Sequence, residues 1–328
     1  MNISLKQTRW CCEAAFFVLV LLFLGFYNVD YLYRMQAENL FLGNAVFAGE
    51  TLPQSAGVLV YLSKWLLQLC YYPLLGAAVA AAGFVCIGRL LSALTGVETF
   101  TRLLMLFVVP LSALMAQTTA GYAIYENFDT SFFVSFELGM IVSLLLALLG
   151  DSLLRKNGKV GFSVCSVLAV VLHLLVGLYA PLSLLLIGAA RWRKNRSEAV
   201  KLMVTGLVIA LLVPLLETSI YQEDYIFALL APLPNPYFFN VFAYGLLSLV
   251  LSVVVTAVST DYSLSRLEKF PAFAASFALL LVLSFFFSFR DANYRTLLDM
   301  QRRTESHDWE GVLKTAEKVE RPTRAIAA

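Results

Sequence analysis

Residues 131–150, SFFVSFELGMIVSLLLALLG, decide the fold class of this protein. The stretch is 20 residues long and contains one charged side chain, Glu137. An α-helix of about 20 apolar residues has the length needed to cross the hydrocarbon core of a bilayer. The stretch therefore predicts a transmembrane helix with a single carboxyl group inside it.

The rest of the chain repeats this pattern. Of its 328 residues, 60% are apolar or aromatic and 14% are charged, whereas a soluble domain carries about a quarter charged residues. We predict nine spans, two of which are short helices within residues 160–190 that turn near residues 177–181. The other predicted spans are residues 11–27, 73–94, 103–120, 131–150, 199–216, 239–258 and 272–289. This pattern predicts an all-α, polytopic transmembrane helix bundle and excludes a soluble enzyme, a fibrous protein and a disordered one.

Residues 290–328 differ from the predicted transmembrane domain, residues 1–289. They contain eight of the 24 basic residues and seven of the 22 acidic ones. A short helix is expected over residues 294–303, and an amphipathic helix is expected between Asp308 as its N-cap and Pro322. Its apolar positions are Trp309, Val312, Leu313, Ala316 and Val319. Because helical-repeat arrays need three or more units, we expect this segment to begin a longer repeat-like domain outside the cytoplasm.

The distribution of charge predicts the orientation, although the formal net charge is only +2. With the N-terminus in the cytoplasm, the segments before residue 290 place 14 basic residues inside and two, Arg34 and Lys64, outside. The outer segments also hold eight acidic residues. Lysine and arginine near the ends of spans are retained on the cytoplasmic side. The near-neutral total also argues against a nucleic-acid partner, which requires a strongly basic surface.

Acidic residues of the outer loops are the candidate catalytic groups. Asp30, Arg34 and Glu38 are spaced four residues apart, which places them on one face of a helix. They could form only an ion-pair ladder on a wet surface. Alternatively, Asp30 lies just past the first span and faces Glu126 and Asp129 of the next outer loop. Carboxylates from two loops could bind a divalent metal ion, or one of them could act as a general base.

Glu137 and His173 are ionisable residues predicted well inside spans, whereas Glu13 is predicted in the first turn of its span. Glu137 is a candidate for substrate binding, because an unpaired carboxylate within a membrane is costly and such groups often mark functional sites. It could equally be neutral and hydrogen-bonded between helices, or wet near the membrane surface. His173 is expected to be a packed, neutral imidazole bonded to a neighbouring helix rather than a ligand.

The opening of the chain resembles the GT-C superfamily of polytopic glycosyltransferases. The similar features are a short N-terminus, one span, an acid directly after it in a long outer loop, and a second span led by proline (YYPLLG, residues 71–76). The resemblance implies transfer of a sugar from a polyprenyl-phosphate donor at the outer face. It gives Asp30 the role of the first-loop acid, and Glu126 and Asp129 the role of second-loop acids. Many members have paired acids where this chain has Asp30 alone.

The whole chain also resembles an uncharacterised bacterial family of inner-membrane proteins with a tetratricopeptide-like tail. The residues that carry this resemblance are SHDWEGVLKTAEK, residues 306–318. It implies a multi-pass protein of the bacterial inner membrane, with its N-terminus in the cytoplasm and its C-terminus in the periplasm. It gives no activity.

Three functional hypotheses stay open. The first is a GT-C-like transferase, in which Asp30, Glu126 and Asp129 are catalytic and Arg34, Glu38 and Glu137 bind substrate. Its partners would be membrane lipids and a polyprenyl-phosphate sugar, and a divalent metal ion could serve as cofactor. The second is a non-catalytic anchor for a periplasmic repeat domain that binds protein partners. The third is a transporter with Glu137 and His173 as coupling residues, but no internal hydropathy repeat supports it.

Overall fold

The computed structural model describes residues 5–96, 100–125, 129–233, 239–259 and 291–319, and every regular element in these ranges is a helix. The fourteen described α-helices are α1 (Leu5–Leu22), α2 (Val29–Ala37), α3 (Ala45–Thr51), α4 (Gly57–Leu67), α5 (Pro73–Thr95), α6 (Phe100–Thr118), α7 (Phe132–Lys156), α8 (Gly158–Val176), α9 (Tyr179–Arg191), α10 (Arg196–Tyr221), α11 (Tyr225–Leu230), α12 (Phe239–Ser259), α13 (Ala292–Glu305) and α14 (Trp309–Ala316). A π-helix, Phe23–Tyr27, extends α1, and 3-10 helices cover Gln68–Tyr71 and Gly121–Tyr125.

Five of these helices are long and apolar enough to cross a membrane: α5, α7, α8, α10 and α12. A sixth candidate arises if the bent pair Glu13–Tyr27 and Val29–Ala37 counts as one span. Two further apolar helical stretches are shorter: Leu106–Thr118, which is part of α6, and Tyr179–Arg191, which is α9. The span predicted at residues 272–289 lies outside the described residues. Within the described residues, the structure thus supports an all-helical membrane protein with five or six candidate spans, and the nine predicted spans are not confirmed.

The segment between residues 158 and 191 is a pair of helices, as the clusters of basic residues at both of its ends predicted. The chain breaks at Gly177, whose φ of +62° is strained for any residue with a side chain. A Cβ atom at this position would also collide with the carbonyl oxygen of Ala231, which accepts a hydrogen bond from the backbone N–H of Leu178 at 3.2 Å. Glycine at this turn therefore lets α9 double back against α7 and α8.

Close approach between helices depends on small residues at their contacts. Gly83 of α5 leaves room for the carboxyl group of Glu137, since an added Cβ atom would lie 2.5 Å from its Oε2. Gly139 of α7 lies against the fully buried ring of Tyr179 in α9. Such contacts allow close van der Waals packing, which drives helix association in a lipid environment.

Ion pairs hold the helix ends together on the side where basic residues are concentrated. Glu13 of α1 is buried and pairs with Arg89 of α5, with 2.6 Å between Oε2 and Nη2. Arg191, at the end of α9, pairs with Asp151 of α7 at 2.7 Å and with Glu198 of α10 at 2.8 Å. Arginine can make several such bonds at once because its guanidinium group carries five N–H donors. The ends of α7, α9 and α10 therefore meet at one place.

The two predicted tail helices are present in the described part of the tail. The first is α13, and the second is α14 with Asp308 as its N-cap: Oδ1 accepts a hydrogen bond from the N–H of Gly311 at 3.0 Å. Burial raises the pKa of Asp299, but hydrogen bonds and charge from Arg303 and Arg302 outweigh it and hold that pKa below its usual value. Asp299 also accepts a hydrogen bond from Thr315 of α14 at 3.2 Å. This carboxylate therefore joins α13 to α14. The predicted stop at Pro322 lies outside the described residues.

Candidate functional site

The candidate acid Asp30 lies directly after a sharp break in the first long helix. The π-helix ends at Asn28, whose N–H and side-chain amide both donate to the carbonyl oxygen of Phe23, at 3.0 and 3.3 Å. The chain then bends by 73° into α2. Single turns of π-helix occur often at functional sites, because they redirect side chains. Here the turn places Asp30 in the first turn of α2.

Asp30 forms an ion pair with the tail. Nε of Arg302 in α13 lies 2.8 Å from Oδ1 of Asp30, and the Asp30 side chain is 26% exposed. Nη2 of Arg302 also lies 3.3 Å from Asp299. A second arginine of α13, Arg295, places its guanidinium carbon 3.7 Å from the ring centroid of Tyr27 and donates to the Tyr27 carbonyl oxygen at 3.3 Å. The tail helix α13 is thus docked on the bend by two arginines.

A small cavity of about 50 Å³ lies between Asp30 and α13. Its walls include Tyr31, Thr118, Tyr294 and Arg295. Tyr294 contacts Tyr122 edge to face, with 5.1 Å between ring centroids. A cavity of this size has room for a few water molecules and none for a sugar ring. A larger ligand could therefore reach Asp30 only if α13 moved.

Arg34 and Glu38, predicted to bind substrate, form an ion pair with each other one helical turn apart. Glu38 is exposed at the C-terminal end of α2, and the Arg34 side chain is 12% exposed. Asp30 instead forms its ion pair with Arg302 of α13. Of the predicted ion-pair ladder, the structure therefore shows the Arg34–Glu38 pair, whereas Asp30 contacts the tail.

The acids of the second outer loop are placed only in part. Glu126 lies outside the described residues. Asp129 is exposed, and its Oδ1 accepts a hydrogen bond from the N–H of Ser131 at 3.0 Å, just before α7. Asp129 does not line the cavity beside Asp30. Within the described residues, no group of three or more histidine, cysteine, aspartate or glutamate side chains could hold a metal ion.

Glu137 is buried beneath this region and is linked to α2 through one residue. Its Oε1 accepts a hydrogen bond from the side-chain amide of Gln117 in α6 at 3.3 Å. The backbone carbonyl oxygen of Gln117 accepts a hydrogen bond from the hydroxyl of Tyr31, next to Asp30 in α2. Glu137 is therefore hydrogen-bonded between helices, which was one of the two alternatives for this residue.

A second polar cluster was not predicted from the sequence. Nδ1 of His173 in α8 lies 2.7 Å from Oε1 of Glu217 in α10, and both side chains are fully buried. The other oxygen of Glu217 accepts a hydrogen bond from the hydroxyl of Ser55 at 3.0 Å. Nε2 of His173 has no hydrogen-bond partner among the described residues. The signal that could have found this pair is the position of both residues near the C-terminal ends of α8 and α10.

Comparison with known proteins gives a family and no activity. One protein-family model matches residues 4–328, and its description is a family of unknown function, DUF6057. No curated protein and no solved structure matches the chain.

Proposed function

This chain belongs to the DUF6057 family of unknown function, and we propose that it is a multi-pass membrane glycosyltransferase similar to the GT-C superfamily. It would act at the outer face of the bacterial inner membrane on a lipid-linked sugar. The observation that carries this proposal is the surroundings of Asp30. The carboxylate stands at the bend that ends the first apolar helix, beside a cavity and next to Arg302 and Arg295 of α13.

These side chains have the chemistry that sugar transfer from a polyprenyl phosphate needs. Asp30 would act as the general base and accept the proton of the acceptor hydroxyl. The oxygen of that hydroxyl would form a bond to the anomeric carbon of the sugar. The bond from that carbon to the phosphate oxygen would break, and the polyprenyl phosphate would leave with the electron pair. Arg302 and Arg295 would stabilise the negative charge that develops on the phosphate.

Release of Arg302 from Asp30 is the conformational step that this proposal requires. The cavity beside Asp30 holds only about 50 Å³, so donor and acceptor fit only after α13 moves away. A phosphate group competes well for arginine, which binds it through two parallel hydrogen bonds. Donor binding would therefore free the Asp30 carboxylate at the moment when a base is needed.

The other predicted site residues keep their proposed roles in this scheme. Glu126 and Asp129 would bind the acceptor or a divalent metal ion at the edge of the site. Arg34, Glu38 and Glu137 would support the substrate-binding surface, with Glu137 acting through Gln117 and Tyr31 on α2.

The first test is the variant Asp30→Asn, which removes the base and keeps the shape of the side chain. We expect the lipid-linked glycans of the producing cells, followed by mass spectrometry, to lose a product or accumulate a precursor. Asp224→Asn is the matched control, because Asp224 is an exposed acid of another predicted outer loop. A wild-type glycan profile from Asp30→Asn at normal protein levels would refute the catalytic role.

A charge swap separates catalysis from docking. The double variant Asp30→Arg with Arg302→Asp can re-form an ion pair between α2 and α13 without restoring a carboxylate at position 30. The transferase proposal expects this variant to stay inactive even if its tail resists protease as well as the wild-type tail does. A wild-type glycan profile together with a wild-type protease resistance of the tail would contradict the transferase proposal.

The alternative function is a membrane anchor for a periplasmic helical-repeat domain that binds protein partners. One observation favours it: Asp30 is already paired with Arg302, and this ion pair and the Arg295–Tyr27 contact hold α13 on the bend. On this hypothesis the charge swap restores function together with tail docking. The same experiment therefore decides between the two functions.

A further inference from the structure

The N-terminal ends of α8 and α10 enclose an open groove of about 530 Å³, which is the size of a ligand pocket. Its polar walls include Lys159, Ser163, Ser197 and Lys201. The ring of Phe162 forms an apolar part of the wall. The groove lies on the side where basic residues are concentrated, which the positive-inside rule places in the cytoplasm.

The groove carries positive charge that no carboxylate of the described residues neutralises. Lys159 and Lys201 are both exposed, and no carboxylate among the described residues lies within ion-pair distance of either one. The one acidic residue of the lining is Glu198, and its Oε2 pairs with Nη1 of Arg191 at 2.8 Å. The two lysines therefore remain available to an anion.

The backbone adds to this charge. Asn157 and Asn195 cap α8 and α10 by accepting hydrogen bonds from the N–H groups of Val160 and Glu198, at 3.4 and 3.3 Å. Both helices thus begin at the groove and direct the positive ends of their dipoles toward it. The remaining N–H groups of their first turns are donors suited to phosphate oxygens.

Apolar surface continues from the groove along both helices. On α8 the exposed apolar residues include Val160, Val164, Val167 and Val171. On α10 they include Val200, Val204, Leu207, Val208 and Leu211. Both helices are candidate spans, so these faces are available to acyl chains. A ligand that matches the groove and these faces has an anionic head and a long apolar tail.

We propose that this groove binds the phosphate head of an anionic phospholipid, with its acyl chains along α8 and α10. A lipid explains the apolar faces beside the lysines, which a soluble phosphate would not use. The inner leaflet also supplies such lipids, since its surface is negatively charged. This site is far in sequence from Asp30 and does not depend on the transferase proposal.

Native mass spectrometry of the full chain in detergent tests the proposal. The probes are phosphatidylglycerol and phosphatidylcholine with the same acyl chains. Each lysine near an anionic headgroup contributes a factor of about five in affinity, so Lys159→Gln with Lys201→Gln should weaken phosphatidylglycerol binding about 25-fold. The matched control is Lys156→Gln with Lys194→Gln, which removes the same charge from exposed lysines outside the groove and should change binding less than about twofold.

Three outcomes would overturn the proposal. Equal weakening by both double variants would mean that the lipid responds to diffuse surface charge. Binding of phosphatidylcholine as tight as that of phosphatidylglycerol would remove the role of the lysines. Displacement of the lipid by a comparable concentration of inorganic phosphate would identify a site for a soluble anion. Since all four lysines are exposed, the variants should fold and each result can be interpreted.

Discussion

At the scale of single residues, Glu217 is the carboxylate whose removal should matter most for stability. It accepts a hydrogen bond from Ser55 at 3.0 Å and pairs with His173 at 2.7 Å, and neither side chain of the pair reaches solvent. Glu217→Ala leaves both partners unsatisfied in a buried site, which costs about 1 to 3 kcal/mol for each group. We expect a loss of roughly 3 kcal/mol in the free energy of unfolding, measured by chemical denaturation in detergent.

Glu223→Ala is the matched control for this prediction. Glu223 is only partly buried, and its hydrogen bond to the N–H of Ser55 is long, at 3.4 Å. Its removal should cost less than about 1 kcal/mol, the net value of an ordinary hydrogen bond. An equal loss of stability from both variants would show that the His173 contact adds nothing.

Local residue chemistry was predictable, and pairing between distant residues was not. The Asp308 cap follows from a carboxylate placed three residues before a free helix N–H, so the sequence contains all that is needed. His173 and Glu217 are 44 positions apart, and their contact depends on how α8 and α10 pack. Asp30 and Arg302 come from opposite ends of the chain. Charge spacing on α2 predicted its Arg34 to Glu38 pair and gave no information about α13.

At the scale of elements, the contact of α7 with α9 depends on Gly139. A Cβ atom at this position would overlap the ring of Tyr179, which is fully buried and also contacts Phe136 with 6.2 Å between ring centroids. Gly139→Ala must therefore separate the two helices or displace the ring. We expect this overpacking to cost about 1 to 3 kcal/mol, measured as a lowered unfolding midpoint in detergent.

Gly49→Ala provides the control for Gly139→Ala. Gly49 lies in α3, is exposed, and has no atom within 4 Å of an added Cβ. Alanine favours a helix over glycine by up to about 1 kcal/mol, so this variant should be neutral or slightly stabilising. If Gly139→Ala behaved like Gly49→Ala, the α7 to α9 contact would be looser than the structure shows.

The sequence predicted where the elements lie better than how the chain redirects them. The basic residues at both ends of residues 160–190 predicted two helices there, with a turn near residues 177–181. The first span was predicted to end at residue 27, but the 73° bend that follows was not predicted, because a π-helix has no distinct apolar period. Short apolar helices such as α9, with 13 residues, also cannot be told from full spans by composition alone.

At the scale of the whole molecule, the ion pair between Arg191 and Asp151 indicates how often the chain crosses the bundle between α7 and α10. Arg191, at the end of α9, contacts Asp151 near the end of α7. The chain between them, α8 and α9, must therefore leave one side of the bundle and return to it. A single crossing between residues 156 and 194 would place Arg191 and Asp151 on opposite sides of the membrane, where they could not meet.

Cysteine labelling in cells tests this path together with the predicted orientation. In a variant without native cysteines, Lys156→Cys and Lys194→Cys introduce thiols at exposed positions on either side of the α8–α9 pair. With the N-terminus in the cytoplasm, we expect both to resist a membrane-impermeant maleimide until the cells are permeabilised. Gly43→Cys, in the predicted outer loop and with open space around it, should react in intact cells.

Labelling of position 194 but not of position 156 would mean that the chain crosses only once, against the Asp151 to Arg191 contact. Labelling of both, with Gly43→Cys protected, would invert the orientation and move Asp30 and the lysine groove to the opposite faces.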